Sequence, residues 1–184
     1  MSAQDKNIAW FLPRPHPSHY KGGMPLHAEK WLLNLAREML DNPSATVLHL
    51  FCGMCTDGVR VDLNPKVNPD YLVDVHEISR YIDQKFDIIL ADPPYSDQEC
   101  EALYSSEFPK LNYKKWTAEA DKLLNDGGFL IVYHKYIMPN PAPQKYRVAK
   151  RVFIGHRTYH VPRVAIYFQK VISILKAGDD DVER

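Results

Sequence analysis

The stretch FDIILADPPYSD, residues 86 to 97, decides how the rest of the chain is read. An apolar run, Phe86 to Ala91, reads as a buried strand and ends abruptly at Asp92-Pro93-Pro94-Tyr95. Proline cannot donate to a strand ladder, and two in succession stop a strand. Stability alone gives a poor reason to place an acid, two rigid prolines and an aromatic ring at such a tip. A strand stop followed by a buried tyrosine is the plain structural reading, and any functional one is weighed against it.

Similar runs flank this one. TVLHLFCG is short, β-rich and ends at Gly53; VRVDLNP ends in Asp62; YLVDVHE ends near Asp74; FLIVYH follows later. YRVAKRVFIGH and RVAIYFQKV read as a closing antiparallel pair. Between them lie helical patterns. Pro25 opens one, with Leu32, Leu35, Ala36 and Met39 at helical spacing until Asn42-Pro43. A short helix is expected around Ile78, Tyr81 and Ile82. A longer one is expected near 112–124, with Tyr113, Trp116, Ala120, Leu123 and Leu124 on one face and Gly127-Gly128 as its stop. Residues 1–25 read as an arm or loop, 1–176 as a single domain, and 177–184 as a disordered tail. Apolar strands alternating with helices argue for a mostly parallel sheet covered on both faces. Ligands of such sheets bind beyond the carboxyl ends of the strands. There the sequence places Asp62, Asp74 and Asp92, beside the Gly53 turn.

Composition narrows the field less. The 184 residues suffice for one substantial core, and 23 basic side chains balance 23 acidic ones. Nucleic-acid binding would therefore rest on a local patch. No uncharged apolar run approaches the length of a membrane span, and the first ten residues lack a signal-peptide plan. The expectation is a soluble cytoplasmic protein without a membrane partner. Cys52 and Cys55 form a lone CxxC with no second pair or well-spaced histidines, so no metal site is expected.

Individual residues then suggest chemistry. Asp62 could accept hydrogen bonds from the ribose hydroxyls of an adenosine-containing cofactor, or be a solvated loop acid. Gly53 would let a cofactor approach the backbone. The turn is not GxGxxG, which disfavours a nicotinamide or flavin enzyme. His134 ends the fifth strand beside the proposed site, where it lines a pocket or is a satisfied structural histidine. Arg151, Arg157 and Arg163 fall with Lys145, Arg147, Lys150, Tyr146 and Tyr159 in the closing pair. Such a basic, aromatic segment either holds a nucleic-acid backbone or is merely solvated.

Asp92-Pro93-Pro94-Tyr95 resembles the signature of the amino-group methyltransferases that use S-adenosyl-L-methionine, specifically the adenine-N6 class. The resemblance extends through most of the chain. It implies a Rossmann-like class I methyltransferase fold of about seven strands with a C-terminal antiparallel hairpin. It implies cofactor contacts from Phe51, Cys52 and Gly53, from Asp62 at the ribose, and from Asp74 and Val75 at the adenine. Lys21, in HYKGGMP, would cup the methionine end. The Asp92 carboxylate and Pro93 carbonyl would each accept an N–H of the target amine, and Tyr95 would stack on the base. The implied substrate is the N6 amine of adenine, in DNA rather than RNA, with guanine-N2 in RNA as the rival. Cytosine-N4 enzymes usually carry Ser in place of Asp92.

Two departures qualify the resemblance. The family's helix between its first two strands is replaced by Met54 to Gly58, which leaves a catalytically degenerate binding module as a further alternative. No stretch remains for an inserted target-recognition domain. Specificity would come from loops, an accessory partner or a second subunit of a homodimer, or be low. A small stand-alone member of this kind suits a phage or mobile element.

Overall fold

The computed structural model describes residues 6–12, 14–18, 23–96, 98, 110–155 and 161–171. Lys21, Arg157, Tyr159 and the tail at 177–184 lie outside the described residues. One sheet contains β1 (Asn7–Phe11), β2 (Val47–Leu50), β3 (Val59–Asp62), β4 (Tyr71–Leu72), β5 (Phe86–Ala91), β6 (Leu124–His134), β7 (Tyr146–Gly155) and β8 (Arg163–Lys170). Two α-helices accompany it among the described residues, α1 (Ala28–Leu40) and α2 (Tyr113–Leu123).

The strands run in the order β1-β7-β8-β6-β5-β2-β3-β4. β8 is antiparallel to both of its neighbours, and every other pair is parallel. From β2 the chain steps outward to β3 and β4, then crosses back to β5 on the other flank of β2. That reversal opens a crevice at the carboxyl ends of β2 and β5, the usual ligand position in open α/β sheets.

Alternation along the strands explains the near-continuous apolar runs. Leu48, Leu50, Ile89 and Ala91 join the core under α2, with Trp116 at its centre. Val47, Ile88, Leu90 and Ile131 join the core under α1. Both faces are covered, so both sets of side chains are mainly apolar, with buried His49 and His134 as exceptions. Each fully buried aliphatic or phenyl group contributes about 1.5–3 kcal/mol.

Helix α1 buries Ala28, Leu32, Leu33 and Ala36 along one stripe. The Tyr167 hydroxyl in β8 donates to the Leu32 carbonyl at 2.9 Å, tying helix to sheet. The helix starts at Ala28, whose N–H reaches the Pro25 carbonyl. It stops at Asp41, in the left-handed region at φ 52°, just before Asn42-Pro43.

Three sequence expectations are corrected here. The N-terminal arm contains a strand: β1 lies parallel to β7, with Asn7 opposite Arg151 and Phe11 opposite Gly155. Its Ile8 and Trp10 turn inward onto the α1 core, so the sheet has eight strands rather than seven. The helix expected around 78–82 is a 3₁₀ turn, Val75–Arg80. Gly127-Gly128 does not end α2. Leu124 is already extended, and the Lys170 ammonium donates to the carbonyls of Asp121 and Leu124 at 2.7 and 3.0 Å. A cation at that end satisfies orphan carbonyls and opposes the helix dipole, so no glycine cap is needed. The glycines belong to β6, where a Cβ at Gly128 would lie 2.6 Å from the Asp87 carbonyl oxygen. The lack of a side chain at Gly128 lets β6 approach β5 where the register shifts. No helix of the described residues is long and apolar enough to cross a membrane.

Candidate functional site

The connection from β2 to β3 contains no helix, as its length requires. To start a parallel strand the chain must travel back along the length of β2, and it does so through a run of turns and bends. A Cβ at Gly58 would sit 2.4 Å from the Val47 carbonyl oxygen, at the opposite end of β2 from Phe51. Phe51 and Gly53 turn the corner with φ of 57° and 47°. The Cys52 N–H donates to the Val61 carbonyl and the Cys55 N–H to the Cys52 carbonyl, both at 2.9 Å. Glu29, in the first turn of α1, accepts the N–H groups of Thr56 and Asp57 on Oε1, at 2.8 and 3.0 Å. Arg37 of the same helix pairs with Asp57 at 2.9 Å. Side chains of α1 thus take over the fixing that a local helix would supply.

Asp62 closes β3 and is 2% exposed. Its Oδ2 accepts the Gly53 N–H and its Oδ1 the Asn64 N–H, each at 2.9 Å. Burial raises its pKa, with these backbone donors and Arg60 opposing the shift. The carboxylate therefore shapes the turn directly, through both of its oxygens.

Asp74 caps the 3₁₀ turn by accepting the His76 N–H at 2.9 Å, and its Oδ1 lies 2.7 Å from His76 Nδ1. His76 Nε2 accepts the Asn112 N–H at 3.0 Å, which puts the ring proton on Nδ1, directed at Asp74. Asn112 in turn caps α2 through Lys115 N–H. One chain of bonds joins the acid at the sheet edge to the start of α2. The Asp74 side chain stays 29% exposed, whereas Val75 is buried in the core.

The tip of β5 is the most populated part of the crevice. Asp92 N–H donates to the Leu50 carbonyl at 3.3 Å, which sets it beside the β2 turn. Pro93 is buried, and Asp92, Pro94 and Tyr95 are partly exposed. The Tyr95 hydroxyl donates to Asp92 Oδ1 at 3.3 Å and accepts from Arg163 Nε at 3.1 Å. His134, 4% exposed, meets the Tyr95 ring edge-on at 4.9 Å, while its Nδ1 accepts the Tyr136 N–H. Lys135 Nζ lies 5.6 Å from the same ring's centroid. Burial pushes the Tyr95 phenol well up, and Asp92 adds to this while Arg163 opposes it. Burial does the same to Tyr133, reinforced by Tyr95 and Asp92. Both phenols are protonated donors at neutral pH.

The basic residues of the closing pair separate in space. Lys145 and Arg147 sit at the start of β7, where they engage Asp121 and Gln169, and Tyr146 is core. Arg151 stands opposite Ile166, on the α2 side of the sheet. Arg163 stands opposite Ile154, on the α1 side at the carboxyl edge, and its guanidinium lies 4.6 Å from the Tyr95 centroid. Arg151 and Arg163 therefore do not form one row.

Sequence reasoning missed Glu29 and Gly58. An acid in the first turn of a helix is ordinary, and nothing local marks Glu29 as a partner of residues 56 and 57. Gly58 carried a signal, since so short a connection must double back closely along its own strand.

No family model matches the chain, and no curated protein does. Solved structures share its fold. TrmN from Thermus thermophilus superposes with a TM-score of 0.56 at 19% identity, over 82% of this chain and 50% of that one. This chain thus spans about half the length of TrmN. The N-methyltransferase NodS from Bradyrhizobium japonicum WM9, in complex with S-adenosyl-L-homocysteine, gives 0.52 at 13% identity, over 79% and 86%. PH1948 from Pyrococcus horikoshii, provisionally assigned as an RNA methyltransferase, gives 0.53 at 16% identity, over 87% and 93%. The fold is the Rossmann-like methyltransferase fold, in a sheet of eight strands with β1 at one edge.

Proposed function

We propose that the protein transfers a methyl group from S-adenosyl-L-methionine to the exocyclic N6 amine of adenine in a nucleic acid. The observation that carries this reading is the meeting of Asp92, Tyr95, His134 and Arg163 at the crevice where strand order reverses. A strand stop alone requires no such convergence of donors, acceptors and rings. The fold, shared with NodS bound to S-adenosyl-L-homocysteine, supports the choice of cofactor.

The residues at the carboxyl ends of β2, β3 and β4 suit that cofactor. Phe51 and Gly53 are partly exposed on either side of buried Cys52, Asp74 keeps a partly exposed carboxylate, and each oxygen of the buried Asp62 can accept a further bond beside the backbone N–H it holds. Lys21 and Val75 complete the proposed set. When bound, the cofactor supplies an electrophilic methyl on a sulfonium.

The chain's own residues act on the acceptor. An aromatic amine is a weak nucleophile because its lone pair is delocalised into the ring. Asp92 and the Pro93 carbonyl accept its two N–H bonds, which localises density on nitrogen and aims it. Proline has no N–H of its own and fixes the backbone direction. Tyr95 offers a stacking face worth about 1–3 kcal/mol. Arg163, Arg151 and Arg157 are proposed phosphate contacts, with Arg163 nearest the tip. A base within a duplex must first be flipped out.

DNA is the substrate favoured by the tip's resemblance. The likeness to PH1948 supports RNA as a second reading, with adenine-N6 or guanine-N2 as acceptor. The deciding experiment incubates the protein and labelled cofactor with DNA and RNA separately, then digests each to nucleosides. N6-methyladenosine chemistry in either polymer supports the proposal, and the polymer selects the reading. Absence of label from both, with cofactor binding also absent by calorimetry, refutes it.

A further inference from the structure

Beneath the short turn, on the α1 side of the sheet, three side chains meet that the proposed methyl transfer does not use. A carboxylate oxygen of Glu29, a ring nitrogen of His49 and the sulfur of Cys55 all lie within 4.8 Å of one another. His49 and Cys55 are buried, and Glu29 is mostly so. His49 is 1% exposed in the middle of β2. Its Nε2 has no hydrogen-bond partner among the described residues. Glu29 Oε1 lies 3.3 Å from it, a long and poorly aligned contact, and already receives two backbone N–H groups. A buried imidazole nitrogen left in this state is destabilising unless something else occupies its lone pair or takes its proton.

We propose that Glu29, His49 and Cys55 bind a zinc-class divalent cation that clamps the abbreviated turn between β2 and β3 onto α1. The donor set, one carboxylate oxygen, one imidazole nitrogen and one thiolate, is that of a zinc site rather than a magnesium or calcium site. A tetrahedral zinc ion holds such donors about 3.5 Å apart, so the present separations need close by only about 1 Å. Water completes the fourth position. Charge also balances, because a dication with one carboxylate and one thiolate is neutral, as a buried site requires. On binding, the Cys55 S–H proton leaves to solvent and sulfur donates its pair to the metal. Without metal the thiol stays protonated, since burial, Glu29 and Asp92 hold its pKa well above the usual value.

The CxxC spacing misdirects on this point. Cys52 turns away, with its sulfur 3.7 Å from the Gly53 carbonyl oxygen, and only Cys55 joins the cluster. Its partners come from α1 and from the middle of β2, where no spacing rule looks. The proposal is independent of the methyl-transfer reading.

Cobalt(II) reports the site without any assay of activity. The full chain, stripped with chelator, is titrated with cobalt and its absorption followed. One equivalent should bring a thiolate-to-cobalt charge-transfer band in the near ultraviolet, with visible bands of tetrahedral intensity, and zinc should abolish both. Cys55→Ser should lose the charge-transfer band, whereas Cys52→Ser and Cys100→Ser should keep it. His49→Ala and Glu29→Gln should weaken binding by at least the roughly 10–100-fold that loss of an outer-sphere partner costs. The unmodified chain decides the matter even if variants fail to fold. No charge-transfer band in it, or a band that survives in folded Cys55→Ser, overturns the proposal.

Discussion

The Arg163 side chain covers the Tyr95 ring with its guanidinium, 4.6 Å from the centroid, while its Nε donates to the Tyr95 hydroxyl at 3.1 Å. The same hydroxyl donates to Asp92, so cation, phenol and carboxylate form one connected group at the tip of β5. A phenol held between a donor and an acceptor is fixed in orientation. The ring proposed to stack on a base is thus set before any base arrives.

Arg163 should matter for binding more than for folding. Arg163→Ala removes a cation over a ring, worth about 0.5–2 kcal/mol, and leaves the β8 ladder intact. If Arg163 also holds a phosphate, the salt dependence of nucleic-acid binding should fall by about one unit of slope. The check is a salt titration of affinity for parent and variant. An unchanged slope removes Arg163 from the phosphate contacts.

Asp92→Ala should leave the protein folded and remove methyl transfer, because the side chain follows a buried strand, stays partly exposed and is proposed to hold the acceptor amine. Asp92→Asn should be milder, since an amide oxygen still accepts. Tyr95→Phe should keep most activity while releasing both hydroxyl bonds, and Tyr95→Ala should lose it. Single-turnover methyl transfer measures these, with kcat affected more than KM for Asp92. If Asp92→Ala transfers methyl like the parent, the tip is structural.

Gly58→Ala tests the doubled-back turn. Gly58 adopts φ 79°, and a methyl there would meet Val47 at 2.4–2.9 Å. Backbone strain and overpacking together should cost at least about 2 kcal/mol. Urea denaturation gives the value, and a loss below half of that would show the turn has room to yield.

Acid stability should depend on Asp121. Burial alone would raise its pKa, but bonds from Lys145 and Tyr146 and the charge of Lys170 outweigh burial and lower it below 3.8. A depressed carboxylate stabilises the fold above its unfolded pKa and loses that contribution as pH falls through the folded value. Asp121→Asn should therefore cost about 1–2 kcal/mol at neutral pH, and the gap to the parent should close as pH falls below 3.8. Denaturation at a series of pH values checks this. A gap independent of pH would show that Asp121 acts by packing and not by charge.

Much of the architecture is legible in the linear order of residues. The runs at 47–50, 86–91 and 129–134 are strands because a strand buried on both faces is apolar at nearly every position, which is a local property, with His49, Asp87 and His134 as the exceptions. The helical spacing of Leu32, Leu35, Ala36 and Met39 is local in the same way, although packing buries Ala28 and Leu33 more fully than Leu35 and Met39, and the stop at Asp92-Pro93-Pro94 is local too. Position at a strand's carboxyl end follows directly, which is why Asp62, Asp74 and Asp92 could be grouped before any coordinates. Their division of labour could not. Asp62 is occupied by the backbone of a turn nine residues away, and Asp74 by His76 and, through it, the start of α2.

Other relationships depend on which strands become neighbours. β1 is a strand because β7 offers an open edge 144 positions along the chain, at Arg151 opposite Asn7. The run NIAWF alone is too short to declare that. Lys170 caps α2, so Gly128 is released to serve the approach of β6 to β5. Arg163 reaches Tyr95 across 68 residues because β8 inserts antiparallel between β6 and β7 and starts at the carboxyl edge. Lys145 and Arg147, close to it in sequence terms along the same hairpin, end at the far edge. Periodicity is set by each residue's own backbone geometry and is readable locally. Adjacency is set by sheet order and register, which emerge only when two cores are packed on one sheet at once.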